Sequence, residues 1–347
     1  MRPFLRLTYQ TLLTLRKQAV FAYAQIVGRV RNPHQVIRQI PERIELGPRV
    51  ALFMHFDGGG GVRPAVLAYV RELIAAKRSV VFVTNSGFLT DPAIAALRHE
   101  GAQIMIRRNI GYDFGAWRDA IETLALPRAD TEEVIICNDS VFGPVRPLDV
   151  TLLRLNYDEA DVWGLTESWQ RRYHLQSYFI AFGRSALHHP GFRKFWAQVL
   201  PAPAKSFIIH RYEVGLTQAM LKAGLRVAAV WPYETLTKMV LREQLQPYLD
   251  ADGTQGAKVD PMDLTRWLHV LRLRNAIAQR QALNPTSDLW RQLLLAGYPF
   301  IKRELLRDNP TRVEDVGDWA DVLRHDIGAD PEPIRADLRQ MLKGEAP

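Results

Sequence analysis

This sequence lacks the means to form a disulfide or to span a membrane. Its only cysteine is Cys137, so no disulfide can close within the chain. In the first forty residues the longest uncharged stretches are Leu7–Leu15 and Gln18–Gly28, far short of the ~20 apolar residues that a spanning helix needs. Arg16 and Lys17 also interrupt any signal-peptide core, and we therefore expect neither a membrane span nor export.

Acidic residues are absent from the same N-terminal stretch, whereas basic residues are frequent in it. The chain has a formal net charge of +8, and the excess is concentrated in residues 1–40. Apolar side chains between these charges predict a basic amphipathic helix over residues 1–44 that lies on an anionic membrane surface. Packing of that helix on the protein's own body or on a partner explains the pattern equally well. No nucleic-acid-binding motif accompanies the charge, so we expect a cytoplasmic protein at the inner face of the plasma membrane and no nucleic-acid partner.

Beyond residue 44 the sequence alternates between short apolar runs and helical stretches. Strands are predicted at Val50–His55, Val80–Thr84, Gln103–Arg107 and Val134–Cys137, each separated from the next by a helix. This order predicts an α/β domain of the Rossmann type with a mostly parallel central sheet. We place this domain at residues 45–235 and expect residues 236–347 to form a helical C-terminal region.

A glycine-rich turn follows the first predicted strand. Asp57 is followed by the run Gly58–Gly61. Ligands of an open parallel sheet bind beyond the carboxyl ends of its strands, so Asp57 is a candidate for binding the nucleoside of a donor. The spacing matches neither a phosphate-binding loop nor a dinucleotide-binding motif. A flexible loop that binds nothing is the alternative.

The densest polar and aromatic cluster follows the third predicted strand. Its glycines permit tight turns near a ligand, its arginines can bind a diphosphate, and its aspartate can orient a sugar or ribose hydroxyl. The candidate donor-binding residues in this cluster are Arg107, Arg108, Asn109, Gly111, Tyr112, Asp113 and Arg118. A helix N-terminus capped by Asp113, with Phe114 and Trp117 packed inward, is the alternative.

Several motifs together carry a family resemblance. Asn109-x-Gly111, followed by an apolar strand ending in Asn138-Asp139-Ser140, resembles glycosyltransferases of the GT-A type. A closer resemblance, to the rhamnan synthesis protein F family of polysaccharide glycosyltransferases, is carried by five ordered motifs: Gly111–Trp117, Asn138–Pro144, His174–Phe179, Arg211–Leu216 and Pro299–Leu306. It implies a GT-A-like sandwich that transfers rhamnose or a related sugar from a nucleotide diphosphate donor to a growing, lipid-linked glycan acceptor.

The same resemblance places a metal-binding Asp-x-Asp where this chain has Asn138-Asp139-Ser140. Only Asp139 is a carboxylate, and divalent cations prefer carboxylate and diphosphate oxygens. Asp139 is therefore the candidate ligand of Mg²⁺ or Mn²⁺, and Asn138 and Asp139 are candidate donor-binding residues. Arginine or lysine side chains that neutralise the diphosphate without a metal are one alternative, and a turn in which Asp139 and Ser140 bind backbone amides is another.

Glu213 is the candidate catalytic residue. In inverting GT-A enzymes the catalytic carboxylate opens a helix, with a leucine three residues later and a glycine eight residues beyond that, and Glu213, Leu216 and Gly224 reproduce this spacing. Inversion needs one general base that deprotonates the acceptor hydroxyl. A surface glutamate that only favours a helix N-terminus is the alternative.

Four further residues are candidates for binding the acceptor or the sugar. These are Glu167, which is also a reserve candidate for the base, His174, Gln176 and Tyr212. A lone histidine is more often structural than functional, and a structural role is the alternative for His174. The loss of the Asp-x-Asp carboxylates also favours a second class of function, in which a catalytically degenerate GT-A core serves as a scaffold or binding subunit of a polysaccharide assembly complex.

Overall fold

The computed structural model describes residues 18–30, 35–244 and 261–343, and a nine-stranded sheet forms the centre of this described part. The order of strands across that sheet is β1-β4-β3-β2-β5-β9-β7-β10, with β8 paired to β7, and β11 pairs with β6 in a second sheet. The strands are β1 (Val36–Ile40), β2 (Arg49–His55), β3 (Ser79–Thr84), β4 (Gln103–Arg107), β5 (Glu133–Asn138), β6 (Val141–Phe142), β7 (Val162–Ser168), β8 (His174–Leu175), β9 (Phe179–Gly183), β10 (Val227–Trp231) and β11 (Ile301–Lys302).

Most strands of the large sheet run in one direction. β4, β3, β2 and β5 pair in parallel, and β10 is parallel to β7. The direction reverses at β9, which is antiparallel to both β5 and β7, and at the two short strands β1 and β8. The predicted α/β fold with a mostly parallel central sheet is confirmed.

Helices cover both faces of the sheet. They are α1 (residues 18–30), α2 (Pro64–Ala75), α3 (Asp91–Glu100), α4 (Tyr112–Thr123), α5 (Leu148–Leu152), α6 (Arg184–His188), α7 (Pro190–Ala197), α8 (Lys205–Ile208), α9 (Val214–Lys222), α10 (Tyr233–Arg242), α11 (Pro261–Ala278), α12 (Pro285–Asp288), α13 (Trp290–Leu295), α14 (Arg303–Arg307), α15 (Trp319–Asp321) and α16 (Glu332–Lys343). Alternate residues of β2 enter opposite cores, Ala51 and Phe53 on one face and Leu52 and Met54 on the other. Because both faces are covered, the central strands are continuous apolar runs.

The predicted N-terminal helix is only partly within the described residues. Residues 1–17 and 31–34, which carry most of its basic side chains, lie outside them. Helix α1 packs on the body of the protein, where the ring of Phe21 lies 5.3 Å from that of Phe207. Residues 36–40 form β1 and not a helix, because they pair antiparallel with β4 and cover an otherwise open sheet edge.

The C-terminal region is mainly helical, as expected, but it also contributes a strand. Ile301 and Lys302 form β11, which pairs antiparallel with β6, opposite Phe142 and Val141. Residues 245–260 and 344–347 lie outside the described part of the chain. Across the three described ranges, no helix combines the length and the apolar character needed to cross a membrane. The domain boundaries near residues 45 and 235 stay predictions.

Gly143 permits the close approach of β6 to the segment before β11. Its φ is +121°, and a Cβ added there would lie 2.5 Å from the carbonyl oxygen of Pro299. We expect Gly143→Ala to lower the free energy of unfolding by about 2–4 kcal/mol, as measured by urea denaturation. The matched control is Gly215→Ala within α9, where an added Cβ meets nothing within 4 Å and the change should stabilise by about 0.5–1 kcal/mol. Equal effects of the two substitutions would contradict the prediction.

Candidate functional site

A cavity of about 1400 Å³ opens at the carboxyl ends of the parallel strands. Its walls include the loop after β2, the segment between β4 and α4, and the turn after β5. These three segments meet because the carboxyl ends of parallel strands lie along the same edge of a sheet. The segment around α8, the strand β11 and the start of α14 complete the walls.

The cavity brings together most, but not all, of the predicted site residues. Those that line it are Asp57, Asn109, Tyr112, Asp113, Asn138, Asp139, His174, Gln176 and Glu213. Those that do not line it are Arg107, Arg108, Gly111, Arg118, Glu167 and Tyr212. The aromatic segment, the strand-terminal aspartate and the predicted base therefore face one cavity.

Arg107 and Arg118 are buried away from the cavity. Arg107 donates from Nη2 to Asp119 Oδ2 at 2.8 Å and to the carbonyl oxygen of Ile110 at 2.8 Å. Arg118 donates from Nη2 to the other carboxylate oxygen of Asp119 at 2.6 Å. Because buried ion pairs occupy both guanidinium groups, the expectation that they bind a diphosphate does not agree with their position. Arg108 is exposed, but it too lies outside the cavity walls.

The segment from Gly111 to Trp117 agrees in part with each of its two sequence interpretations, a ligand-binding cluster and a helix N-terminus. It opens α4 as a helix N-terminus, with Phe114 and Trp117 buried, as the alternative predicted. The residue that precedes the helix is Gly111 and not Asp113, and its φ is +88°. A Cβ on Gly111 would lie 2.7 Å from Pro201 Cα, so this glycine serves packing. Asp113 is left to face the cavity.

Asp113 lies among charged groups from three parts of the chain. It accepts a hydrogen bond at 2.7 Å from Asn138 Nδ2. Burial raises the pKa of Asp113 to about 6, and the carboxylates of Asp139 and Glu213 also raise it. The hydrogen bond from Asn138 and the ammonium group of Lys302 lower it. These groups therefore lie close enough to influence one another electrostatically.

Asp139, the predicted metal ligand, is paired with an arginine. Arg303 Nη1 lies 2.8 Å from Asp139 Oδ2. The side-chain oxygen of Asn138 accepts hydrogen bonds from the backbone and the hydroxyl of Ser140, at 3.1 and 2.7 Å. The turn thus offers one carboxylate, already bound by a guanidinium group, which is not the oxygen set that Mg²⁺ prefers. In the described ranges no cluster of three or more His, Cys, Asp or Glu side chains could hold a metal ion. A metal at Asp139 stays a prediction that requires the pair with Arg303 to open.

Glu213 ends a π-helical turn that leads directly into α9. The turn spans Ile209–Glu213, and such turns are frequent at functional sites. Glu213 Oε1 accepts a hydrogen bond at 3.3 Å from the backbone N–H of Ser177. Among the described residues Glu213 Oε2 makes no hydrogen bond, so it can accept a proton from a bound hydroxyl.

Glu167 and Tyr212 are held in structural contacts outside the cavity. Glu167 accepts hydrogen bonds from the hydroxyl of Tyr173 and the backbone N–H of Tyr233, each at 2.9 Å. The hydroxyl of Tyr212 accepts a bond at 2.7 Å from the backbone N–H of Leu200. Neither side chain lines the cavity, and their assignment to acceptor or sugar binding stays a prediction.

His174 and Gln176 do line the cavity, although both are partly engaged. His174 Nδ1 lies 2.8 Å from the carbonyl oxygen of Arg172. Gln176 accepts a hydrogen bond at 2.8 Å from Thr166 and donates to Asn284 at 3.2 Å. Their positions are fixed by these bonds, which is the arrangement that a binding wall requires.

Cations that the sequence analysis assigned no role also line the cavity. Lys302 and Arg303 belong to the last resemblance motif, Pro299–Leu306, and lie against the turn after β5. Lys205 comes from α8. The motif itself was the only sequence signal for Lys302 and Arg303, since more than 160 residues separate them from the turn that they contact.

The raised pKa of Asp113 predicts a dependence of stability on pH. An aspartate with an ordinary pKa of 3.8 in the unfolded chain and about 6 in the folded chain stabilises the fold while protonated, and this contribution is lost as the pH rises through about 6. The substitution Asp113→Asn keeps the size and shape of the side chain and removes its ionisable carboxyl group. Relative to wild type, its free energy of unfolding should therefore rise between pH 4 and pH 7, by about 1–3 kcal/mol in urea denaturation.

The control for this measurement is Asp130→Asn at an exposed position outside the cavity. Its stability difference from wild type should be the same at both pH values. A difference between Asp113→Asn and wild type that does not change with pH would contradict the prediction.

Comparison with known proteins gives curated relatives of moderate similarity. The chain is 29% identical over 213 residues to Virulence protein VirA of Vibrio anguillarum, an alignment that covers 59% of this chain and 62% of that protein. The chain therefore spans about three fifths of the length of this relative.

Solved structures resemble the chain only weakly. A cytidylyltransferase from Leptospira borgpetersenii has 14% identity and a TM-score of 0.30, over 54% of this chain and 77% of that one. The mannosyltransferase PcManGT from Pyrobaculum calidifontis, solved with GDP-Man and Mn²⁺, has 14% identity and a TM-score of 0.32, over 94% of this chain and 89% of that one. Likenesses at this level do not identify a function.

The family comparison is more specific. Residues 80–250 match the family Rhamnan synthesis protein F. Four of the five resemblance motifs fall inside the matched range, and only Pro299–Leu306 lies beyond it. The match supports a glycosyltransferase-like protein of polysaccharide synthesis and does not identify the sugar. The predicted resemblance of this chain to the rhamnan synthesis protein F family is therefore confirmed over residues 80–250.

Proposed function

We propose that this chain is an inverting glycosyltransferase that moves rhamnose or a related deoxyhexose from a nucleotide diphosphate donor to a growing, lipid-linked surface polysaccharide. The observation that carries the proposal is the meeting of Asp113, Asp139, Glu213 and Lys302 in one cavity at the carboxyl ends of the sheet. The family match over residues 80–250 supports the polysaccharide class and gives the reason for placing rhamnose first.

The nucleoside end of the donor is assigned to the glycine-rich loop after β2. Asp57 orders this loop, because its Oδ1 accepts the backbone N–H groups of Gly59 at 2.9 Å and Gly61 at 3.2 Å. Phe56 lies beside it with 46% of its surface exposed, which leaves an aromatic face for a base. Asn109 and Tyr112 line the same cavity and complete the proposed donor site.

Glu213 is proposed as the general base. It would take the proton of an acceptor hydroxyl while the hydroxyl oxygen forms a bond to the anomeric carbon. The bond from that carbon to the phosphate oxygen breaks on the opposite side, and the nucleoside diphosphate leaves with the electron pair. The hydrogen bond from Ser177 fixes one carboxylate oxygen and leaves the other for the proton. His174 and Gln176 are proposed to bind sugar hydroxyls.

The exposed face of α1 supports the proposed membrane contact. While Phe21 packs inward, Tyr23, Ile26 and Val30 are 62%, 65% and 77% exposed. A continuous apolar face on a helix next to a basic segment fits the interface of an anionic bilayer. Packing on the protein and contact with a membrane, the two alternatives from the sequence, are therefore compatible in α1. One face of the helix packs on the protein, and the other face is exposed. Binding there would hold the enzyme near a lipid-linked acceptor.

The catalytic assignment is tested by Glu213→Gln. Turnover of a nucleotide diphosphate sugar should fall by about 10²–10⁴-fold, because a neutral amide cannot accept the proton. Donor binding should stay within about twofold of wild type, since the base contacts the acceptor. The measurements are sugar transfer to a lipid-linked acceptor and thermal shift with a panel of nucleotide sugars, starting with dTDP- and GDP-linked rhamnose.

The control is Glu234→Gln on the exposed surface of α10, which should leave transfer unchanged. Retained turnover in Glu213→Gln would remove Glu213 from the mechanism, and loss in Glu167→Gln alone would make Glu167 the base. Donor binding by wild type without any transfer would favour the scaffold alternative.

The membrane assignment is tested by Ile26→Asp in vesicle flotation. Wild type should float with vesicles that contain phosphatidylglycerol at low salt, and added salt should weaken the association. Ile26→Asp should reduce the bound fraction several-fold, because a charge on the apolar face opposes insertion. The control is Leu153→Asp, which changes another exposed apolar side chain away from α1. No lipid association of wild type at low salt would end the membrane proposal.

A further inference from the structure

We infer that Lys302 and Arg303 form a cation pair that binds the diphosphate of the donor, with Arg303 occupying the carboxylate that a metal ion would otherwise need. This inference rests on the proposed function, because it names the groups that hold one part of the proposed substrate. Neither side chain was assigned a role from the sequence.

The pairing of β11 with β6 brings both cations to the turn after β5. Lys302 lies opposite Val141 in this short antiparallel sheet. The backbone N–H of Arg303 donates to the carbonyl oxygen of Ser140 at 3.0 Å. The approach needs Gly143, whose missing Cβ leaves room for Pro299. The cations are thus positioned by backbone hydrogen bonds and not only by their flexible side chains.

Lys302 carries a partly buried charge that other described residues compensate only in part. Its Nζ donates to Ser140 Oγ at 2.9 Å and lies 5.3 Å from the ring centre of Tyr178. Burial lowers the pKa of Lys302, while the carboxylates of Glu213, Glu304 and Asp113 raise it. Within the described part of the chain Lys302 forms no ion pair with a carboxylate. An ammonium group in this setting has donors available for an incoming anion.

Arg303 occupies the position where a metal would bind the turn. Its Nη1 bonds both to the side chain of Asp139 and to the backbone carbonyl of the same residue. Among the described residues, Nη2 of Arg303 has only the weak acceptor Met341 Sδ, at 3.7 Å. A guanidinium group with donors directed away from its carboxylate partner can bind phosphate oxygens as well. A divalent cation would have to displace this group before it reached Asp139.

Other cations, among them Arg171 and Lys205, also line the cavity. Arg63 lies 3.5 Å from Asp57, and Arg307 lies 2.7 Å from Asp308, so each has its own carboxylate partner. Lys302 and Arg303 are adjacent in sequence, and both contact the turn that carries Asp139. Two neighbouring cations match the charge of a diphosphate, whose negative charge increases further as it leaves the sugar.

The test measures binding of dTDP, GDP and UDP by calorimetry, each with EDTA and with Mg²⁺. The variants are Lys302→Gln and Arg303→Gln. We expect the affinity of wild type for at least one diphosphate to persist in EDTA and to fall by about 10- to 100-fold in each variant. Binding of the corresponding nucleoside, which has no phosphate, should change little.

Lys238→Gln on α10 is the matched control, since it removes an equal charge outside the cavity. Lys302→Arg keeps the charge and should retain most of the affinity, which separates a charge effect from a folding defect. Unchanged diphosphate affinity in Lys302→Gln and Arg303→Gln, or wild-type binding that requires Mg²⁺, would overturn the inference alone. Wild type that binds no diphosphate and no nucleotide sugar would overturn the proposed function with it.

Discussion

The turn Asn138–Ser140 at the end of β5 is the constraint on which the cavity depends. The sheet holds one side of it, through the bond from the backbone N–H of Asp139 to the carbonyl oxygen of Met54 at 3.3 Å. The C-terminal region holds the other side, through the backbone hydrogen bond and the ion pair made by Arg303. Parts of the chain that are far apart in sequence thus meet at these three residues. Because Asn138, Asp139 and Ser140 line the cavity, a ligand bound there would lie against this meeting point.

A buried ion-pair network beside the cavity explains why the arginines near α4 suggest a ligand site in the sequence. Arg107 and Arg118 share the two carboxylate oxygens of Asp119, and Arg107 also donates to Asn85 at the end of β3. The network joins β3, β4 and α4, and each buried charge has a partner, without which its burial would be costly. Polar residues after a strand bind either a ligand or the protein itself. The sequence pattern is the same in both cases, because Asp119, the partner that decides the role of Arg107, lies twelve residues further along the chain, within α4.

The sequence predicts the parts of the fold that are set locally. β2 to β5 are recognisable because strands that are buried on both faces form short, continuous apolar runs between helices. The antiparallel direction of β9 and the covering of the β4 edge by β1 depend on distant partners, and no local pattern reveals them. The same distinction applies to the site. Asp113, Asp139 and Glu213 stand at ends of predicted elements, whereas the role of Lys302 follows from its pairing with Val141.

Three carboxylates of the cavity wall, those of Asp113, Asp139 and Glu213, would repel an anionic donor if all three were ionised and unpaired. Each of these carboxylates has different partners in the structure. Asp139 is neutralised by Arg303, and Asp113 accepts a bond from Asn138 and has a pKa raised to about 6 by burial. Among the described residues Glu213 forms no ion pair, and its carboxylate accepts a hydrogen bond only from the backbone N–H of Ser177. In the proposed displacement Glu213 is therefore the carboxylate best placed to take the proton, since Asp139 is paired with Arg303 and Asp113 is hydrogen-bonded to Asn138.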